Sequence, residues 1–373
     1  MNTSHRVISD FTYLSVTRIL IFSIGVLSFI LVASGCSFRA DSNYENLDVW
    51  DSRSAHGSAR IITLADVVKQ NTNTRVFFVG EAHTRYDHHL TQLEMLKTLY
   101  RQSTKLAIGV EWFQQPFQQH LDDYINGDIT EEQMLHRTGY YNRWRYDYRL
   151  YRPILDFARQ NKIRVLALNA STELSNFLKS GDLQSLPDNL KVQIPDSYDW
   201  SDKSYENRLR EVFEMHPQYP GTFEQFLRGQ LTWDEAMAYR AGQFLEENPD
   251  HRMVVFAGSG HIEHGSGIPN RITRHIDLDT LSLLPSDDFT DLDNSRAHYF
   301  IKSSLRSLPR VGLIGALLEE KDHHLVVKGF SDKSALRDAG LPEGIVIIGI
   351  NDRKINKLTE FKIAMYEKRR GDT

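Results

Sequence analysis

The 373-residue chain contains one cysteine, Cys36, and this scarcity excludes several kinds of site. A single thiol cannot form an internal disulfide, and it cannot supply a Cys-ligated zinc site or an iron–sulfur cluster. Positive charge is not in excess either, because 44 Lys and Arg face 49 Asp and Glu, a formal net charge of −5. Without a basic surface, we expect no nucleic-acid partner.

Long apolar runs are scarce as well, apart from one near the N-terminus. Ile19–Gly35 is almost wholly apolar or small and follows Arg6 and Arg18, which is typical of a signal peptide. The run is also long enough for a short membrane-spanning helix, so a retained span stays open. Its last residues continue into ASGC (33–36), which resembles a bacterial lipobox.

The lipobox resemblance implies cleavage before Cys36 and a lipid on that cysteine, with palmitate among its acyl chains. Ser37 follows the cysteine in place of Asp, and by analogy with other lipoproteins this indicates the outer membrane. We therefore expect a signal peptide over residues 1–35 and a polar tether over residues 36–58.

Four short apolar runs further along the chain predict buried strands. Between them, leucines spaced three and four residues apart predict helices, and TEEQ (130–133) and TWDE (232–235) resemble capping boxes. Strands that alternate with helices predict an α/β fold, with a largely parallel sheet covered by helices. The four predicted strands are Val76–Val79, Leu106–Val110, Val165–Leu168 and Met253–Ala257.

Two regions depart from this alternation. From about residue 182 to 247 no strand pattern is present, which predicts a helical insertion. His298–Lys302 is a further candidate strand, and we expect the main domain over residues 59–304 and a small β-rich domain over residues 310–373. The predicted insertion helices are 205–215, 222–229 and 233–247.

Polar side chains follow each of the four predicted strands. Because ligand sites of parallel sheets lie outside the carboxyl ends of the strands, we expect these side chains to share one site. Glutamate and histidine suit a metal with nitrogen and oxygen ligands or a haem iron, and they also suit general acid–base catalysis. The residues are Glu81, His83, Glu111, Asn169, His261 and His264.

The motifs around these residues resemble the ChaN-like family of haem-binding lipoproteins. GEAH (80–83), GVEWF (109–113) and AGSGH with GIPNR (257–271) carry the resemblance, together with NRWRYDYRLYRPILDFAR, LALNA and QLTWDEAMA, in collinear order over about 60–276. The superfamily includes Tiki-type metalloproteases and erythromycin esterases. Its shared glutamates and Gly-x-x-His motifs fall here on Glu81, Glu111, Gly80–His83 and Gly258–His261.

The resemblance implies an α/β fold and haem binding in bacterial iron acquisition. A non-enzymatic, haem-binding outer-membrane lipoprotein is therefore the first hypothesis. Haem needs an axial ligand, an apolar slot and cations near its propionates, and the Tyr- and Arg-rich segment 140–151 offers the last two. Whether Tyr or His is the axial ligand stays open. The candidate haem contacts are His83, His261, His264, Tyr140, Tyr141 and Arg145.

A metal-dependent esterase or peptidase is the alternative hypothesis. Metal-activated water with a carboxylate base is sufficient for hydrolysis. In this hypothesis Glu81, His83, Glu111 and His261 bind a divalent metal, and Glu81 and Glu111 are the catalytic residues. A homodimer stays open in either case.

The C-terminal segment from Arg310 to Thr373 resembles a PDZ domain. Residues 311–314 (VGLI) match its carboxylate-binding loop, although Ile345 replaces the usual acidic residue and the sequence stops before a final strand. The resemblance implies a partial PDZ-like domain whose partner is a peptide C-terminus. A stabilising appendage without peptide binding is the other interpretation.

Overall fold

The computed structural model describes residues 47–54, 60–180, 183–369 and 372. The expected signal peptide, the alternative of a retained span, and Cys36 with its lipid therefore lie outside the described residues. Among the helices of the described ranges, none has the length and apolarity needed to cross a bilayer.

The main sheet contains eight strands within the described residues. The strands are β1 (Asp48–Asp51), β2 (Arg60–Thr63), β3 (Val76–Glu81), β4 (Leu106–Gln114), β5 (Arg164–Asn169), β6 (Arg252–Gly258), β7 (Thr280–Ser286) and β8 (Tyr299–Lys302). Their spatial order is β2-β1-β8-β7-β3-β6-β4-β5. The strands from β8 to β5 are parallel, whereas β1 pairs antiparallel with β2 and β8.

Strands β3, β4, β5 and β6 confirm the four strands predicted from the apolar runs, and β8 confirms the fifth. Along β3, Phe77 and Val79 are fully buried in one apolar core, and Val76 and Phe78 are fully buried in a second. Since neighbouring residues of a strand point to opposite faces, both faces of the sheet are covered. The predicted α/β fold is confirmed.

Helices connect and cover these strands. They are α1 (Leu64–Gln70), α2 (Tyr86–Gln102), α3 (Gln118–Asn126), α4 (Glu131–Arg137), α5 (Tyr140–Arg143), α6 (Arg152–Gln160), α7 (Thr172–Ser180), α8 (Asp188–Lys191), α9 (Lys203–Glu214), α10 (Phe223–Glu247) and α11 (Ile268–His275). Helices α8, α9 and α10 form the predicted insertion.

Two local expectations are wrong. Residues 48–51 lie in the stretch expected to be a tether, yet they form β1, because Val49 is fully buried and pairs with Ile62 and Ile301. The helices predicted over 222–229 and 233–247 are one helix, α10. The hydroxyl of Thr232 donates to the Arg228 carbonyl (2.8 Å) one turn earlier, so this threonine does not begin a helix.

The C-terminal region is a small antiparallel unit followed by a helix. Its elements are β9 (Ala316–Lys321), β10 (His324–Phe330), α12 (Ala335–Asp338), β11 (Val346–Ile347), β12 (Gly349–Ile350), β13 (Arg353–Lys354) and α13 (Leu358–Met365). β9 and β11 flank β10, and β12 pairs with β13. This confirms a β-rich C-terminal region, while its assignment as a PDZ-like domain stays a prediction.

Candidate functional site

The site begins with Glu81, the last residue of β3, whose side chain is fully buried. Its Oε1 atom lies 2.7 Å from Nδ1 of His83, and its Oε2 atom lies 2.9 Å from Nδ1 of His89 on α2. Burial alone would raise the pKa of Glu81, but the two histidines outweigh it and lower the pKa to about 2. Glu81 is therefore an anion that two imidazoles share.

His83 is the accessible group of this half of the site. Its Nδ1 faces Glu81, its side chain is 26% exposed, and its Nε2 has no hydrogen-bond partner within the described residues. Burial lowers the pKa of His83, but the hydrogen bond to Glu81 and the charge of Glu111 outweigh this and raise it. Metal-ligating histidines typically have one ring nitrogen bonded to a carboxylate, which leaves the other nitrogen for the metal.

Two aromatic side chains surround the His83 ring. The rings of Trp144 and Tyr146 each lie with their centroids 4.9 Å from it, and both side chains are half-buried. We call this pair the aromatic wall. On the other side of His83 is Gly258, where an added Cβ would come within 3.0 Å of the imidazole Cε1. The absence of a side chain at 258 thus lets the backbone of β6 approach the histidine.

The second half of the site is built around Glu111. This residue lies where the pairing of β4 with β5 becomes irregular, between Val110 and Gln114, which redirects its side chain. Its Oε2 accepts a hydrogen bond from the backbone N–H of Gly258 (2.8 Å), and its Oε1 lies 3.5 Å from Nε2 of His261. Glu111 therefore joins the ends of β4 and β6.

His261 is held on its other side by the helical insertion. Its Nδ1 lies 2.6 Å from Oδ1 of Asp234 on α10, and the hydroxyl of Tyr205 on α9 donates to Oδ2 of the same carboxylate (2.5 Å). Burial lowers the pKa of His261, but Asp234 and Glu111 outweigh it and raise the pKa to about 9. His261 is thus a buried imidazolium between two carboxylates.

The structure brings Glu81, His83, Glu111 and His261 to one edge of the sheet, as the strand ends predict. Asn169 is also there, and its amide donates to the Glu111 carbonyl (3.0 Å). The four side chains form two carboxylate–imidazole pairs rather than one compact cage. Within the described residues, the group whose ligand atoms all lie within 4.8 Å of one another is instead Asp87, His88 and Asp287.

A guanidinium already fills that other group. Arg85 donates to Asp87 (2.9 and 2.7 Å) and to Asp287 (2.5 and 3.3 Å), so both carboxylates are neutralised by a side chain. His88 in turn accepts a hydrogen bond from the backbone N–H of Ala82 (3.0 Å). This group therefore stabilises the turn after β3.

Tyr140 and Tyr141, expected to contact a cofactor, are core residues. They are 1% and 7% exposed and pack against Phe113, Tyr148 and each other. Tyr146, from the same segment, reaches the site instead: burial and the charges of Glu111 and Glu81 raise the pKa of its hydroxyl. The structure thus places Tyr140 and Tyr141 in the core and the later residues Trp144 and Tyr146 beside the His83 ring, while a cofactor contact by Tyr140 or Tyr141 stays a prediction.

The two remaining candidates lie on the surface side of these elements. Arg145 is exposed and lies between the two residues of the aromatic wall, with a positive φ of 74°. His264 is half-buried and follows His261 by three residues in the loop after β6. Its Nδ1 lies 3.3 Å from the Ser295 hydroxyl.

Two buried residues that the sequence analysis does not assign complete the site, namely His89 and Asp234. Both come from helices and not from strand ends, and they are 1% and 0% exposed. The signal for Asp234 is the DEA triplet within QLTWDEAMA, an acidic pair on the buried side of a helix. His89 follows His83 by six residues and carries no comparable signal.

A comparison with protein-family models decides the family. Residues 67–272, more than half of the chain, match the model described as "Haem-binding uptake, Tiki superfamily, ChaN". The chain belongs to this family. The match confirms the resemblance of the GEAH, GVEWF and AGSGH motifs, and it includes every residue of the two carboxylate–imidazole pairs. Among curated proteins, none matches the chain.

Solved structures show the same fold. The chain is similar to ChaN of Campylobacter jejuni, solved with cofacial haem binding, with a TM-score of 0.55 and 15% identity over 69% of this chain and 97% of that one. It is also matched by a variant of the erythromycin esterase EreC in its open conformation, with a TM-score of 0.38 and 11% identity over 66% and 79% of the two chains. The first of these supports the α/β fold of the main domain.

Proposed function

We propose that this ChaN-family chain binds haem and that Nε2 of His83 is the axial ligand of the iron. The observation that carries the proposal is the geometry of His83, whose Nδ1 is fixed by the Glu81 carboxylate while none of the described residues forms a hydrogen bond with Nε2. Haem supplies an iron with open axial positions, and a histidine held in this way is preorganised to fill one.

The surroundings of His83 fit a flat, largely apolar ligand with acidic substituents. Trp144 and Tyr146 offer half-buried ring faces beside the imidazole. Arg145, between them, forms no ion pair within the described residues and is exposed, so its guanidinium is available to a propionate. We propose Arg145 for that role.

A haem titration of the full chain in detergent, followed by visible absorbance, tests this function. We expect a saturable Soret shift in the native chain and its loss, or a weakening by at least about tenfold, in His83→Ala. His216→Ala is the matched control, because His216 is an exposed histidine two residues after the end of α9. A native chain without a Soret shift, or a His83→Ala variant that binds like the native chain, would contradict the proposal.

The finer proposal is that this haem-binding chain is an outer-membrane lipoprotein in haem or iron uptake. The lipobox-like sequence before Cys36 and membership in an uptake family support it. We expect the native chain to incorporate labelled palmitate in a bacterial host and Cys36→Ser to lose this label, while the Soret shift of the detergent-purified chain stays unchanged. A native chain that takes up no palmitate, or a Cys36→Ser variant that takes up as much as the native chain, would contradict lipid anchoring at Cys36.

For the C-terminal region we propose a PDZ-like unit that accepts a peptide. β9 is an edge strand of its sheet, which is the side on which an added peptide strand pairs. The N–H of Gly312, in the expected carboxylate-binding loop, already donates to the Lys368 carbonyl (2.7 Å), so fewer loop donors remain for a carboxylate. Fluorescence anisotropy with peptides bearing a free or an amidated C-terminus tests this, and equal or absent binding of both would contradict it.

Metal-dependent hydrolysis is the second candidate function. The observation that favours it is His261, whose Nδ1 lies 2.6 Å from Asp234, because a catalytic acid–base histidine is oriented by such a carboxylate. Elemental analysis of the purified chain separates the two candidates: hydrolysis requires a stoichiometric divalent metal that is lost in His83→Ala. A metal-free chain with an intact Soret shift would contradict hydrolysis and support haem binding.

A further inference from the structure

Helix α13, the last helix among the described residues, packs against α4 and α5, and α5 directly precedes the aromatic wall. Ile363 of α13 is 6% exposed and belongs to the apolar core of the main domain. The hydroxyl of Tyr366, which follows α13, donates to Oε2 of Glu131 on α4 (2.6 Å). Lys362 lies over the ring of Tyr141 (5.6 Å). The C-terminal region thus continues the main core.

A series of contacts leads from this helix to the site. The ring of Tyr366 lies 6.2 Å from that of Tyr148, which lies 5.5 Å from that of Tyr140. The backbone N–H of Trp144 donates a hydrogen bond to the carbonyl of Tyr140 (2.8 Å). Trp144 in turn contacts His83. Tyr140 and Tyr148 are 1% and 0% exposed, so these rings lie in the close-packed interior. Close packing transmits strain from one side chain to the next.

The segment between these contacts has a backbone that needs external support. Gly139 has a φ of 60° and the non-glycine Arg145 a φ of 74°, one on each side of Tyr140–Trp144. A non-glycine residue in the left-handed region is strained, and it persists when surrounding contacts determine it. Helix α13 packs against α4 and α5, the two helices that lead into this segment.

Ion pairs hold the same junction at its edge. Arg152 lies between Glu131 (3.0 Å) and Glu367 (2.7 Å), and Arg353 pairs with Glu132 (2.7 Å). These groups are partly exposed, so they add little to stability. They join residues next to α13 and on β13 to α4 and α6.

From these contacts we infer that Tyr366 and Ile363 are positioning residues for the aromatic wall. They act through Tyr148, Tyr140 and Tyr141 to hold Trp144 and Tyr146 against His83. The inference rests on the proposed function insofar as it concerns haem affinity, whereas the position of Trp144 can be measured without ligand. It makes residues 358–366 part of the binding unit.

The first arm of the test uses the full chain without haem. The chain has five tryptophans, so 5-fluorotryptophan labelling gives five fluorine NMR resonances, and Trp144→Phe identifies the one that matters. We expect Tyr366→Ala to shift or broaden the Trp144 resonance and to leave that of Trp50, which packs against Phe289, unchanged. Glu131→Gln, a milder change that keeps both rings, is expected to move the same resonance by less.

The outcomes of this arm are distinct. An unchanged Trp144 resonance in a folded Tyr366→Ala variant would overturn the inference. A uniform change of all five resonances in both variants would also overturn it, because it would indicate general loosening. Tyr366→Phe keeps the ring contact with Tyr148 and is expected to move the Trp144 resonance much less than Tyr366→Ala does.

The second arm measures haem affinity and uses a double-mutant cycle. We expect Tyr366→Ala to weaken haem binding on the order of tenfold in the native background and to have a much smaller effect in Trp144→Ala, because the contact series ends at Trp144. Ile348→Ala is the matched control, since Ile348 is an exposed residue of the same region. Additive effects would overturn the inference, whereas a native chain that takes up no haem would refute the proposed function and leave the fluorine result to decide positioning.

Discussion

Glu81→Gln is expected to weaken haem binding by about 10- to 100-fold, the usual loss when the carboxylate partner of a ligating histidine is removed. In the native chain the carboxylate holds Nδ1 of His83 at 2.7 Å, which fixes the ring and leaves Nε2 for the iron. Glutamine has nearly the same volume, so the packing around β3 is retained. The Soret titration of the two proteins measures the effect.

The same substitution is expected to change the pH dependence of haem binding. Because Glu81 and Glu111 raise the pKa of His83 in the free protein, iron has to displace a proton from Nε2 at lower pH. Native affinity should therefore fall as the pH drops through that raised pKa, and the fall should move to lower pH in Glu81→Gln. Glu94→Gln, which changes a carboxylate paired with Lys97 on α2, is the control. An unchanged pH midpoint in Glu81→Gln would refute this role.

Asp234→Ala is expected to destabilise the folded chain by about 3–5 kcal/mol at pH 7, because it leaves a buried imidazolium without its main partner. Asp234 is 0% exposed and lies 2.6 Å from His261. Urea denaturation of the native and variant chains measures the difference in the free energy of unfolding. Asp250→Ala, which breaks an exposed ion pair with Lys105, is expected to have no measurable effect.

The free energy of unfolding of the native chain is expected to depend on pH, in the direction set by the raised pKa of His261. The pKa of His261 is raised from 6.5 to about 9, so its contribution is complete below about pH 6.5 and is lost as the pH rises through about 9. Between these values the native chain is expected to lose about 3 kcal/mol, since each pKa unit corresponds to about 1.4 kcal/mol. In Asp234→Ala this loss should largely disappear. A native chain whose stability is flat between pH 6.5 and 9.5 would contradict the assignment.

The sequence alone predicts the sheet and half of the site, for a physical reason. A parallel strand buried on both faces needs a continuous apolar run, which VFFV, LAIGV, VLAL and MVVFA provide. Residues directly after such runs must emerge at one edge of the sheet. Glu81, His83, Glu111 and His261 could therefore be placed together before any coordinates were known.

The other half of the site could not be predicted, because it depends on which side of a helix or turn faces the sheet. Asp234 and His89 lie within helices, where an acidic or imidazole side chain ordinarily faces solvent, and only tertiary packing buries them. Tyr146 lies beside the His83 ring after the turn around Arg145, whose positive φ no side-chain pattern signals. Helix α10 continues past Thr232 because the residues around this position pack in the interior, and the capping-box pattern in the sequence does not reveal that burial.

The central claim is that Nε2 of His83 binds the haem iron, and resonance Raman spectroscopy of the ferrous haem complex measures that bond. We predict an iron–imidazole stretching band in the native full chain that shifts on 15N-histidine labelling. The band should vanish in His83→Gly and return when free imidazole is added to fill the space. A band that persists unchanged in His83→Gly, with its 15N shift intact, would show that another histidine holds the iron.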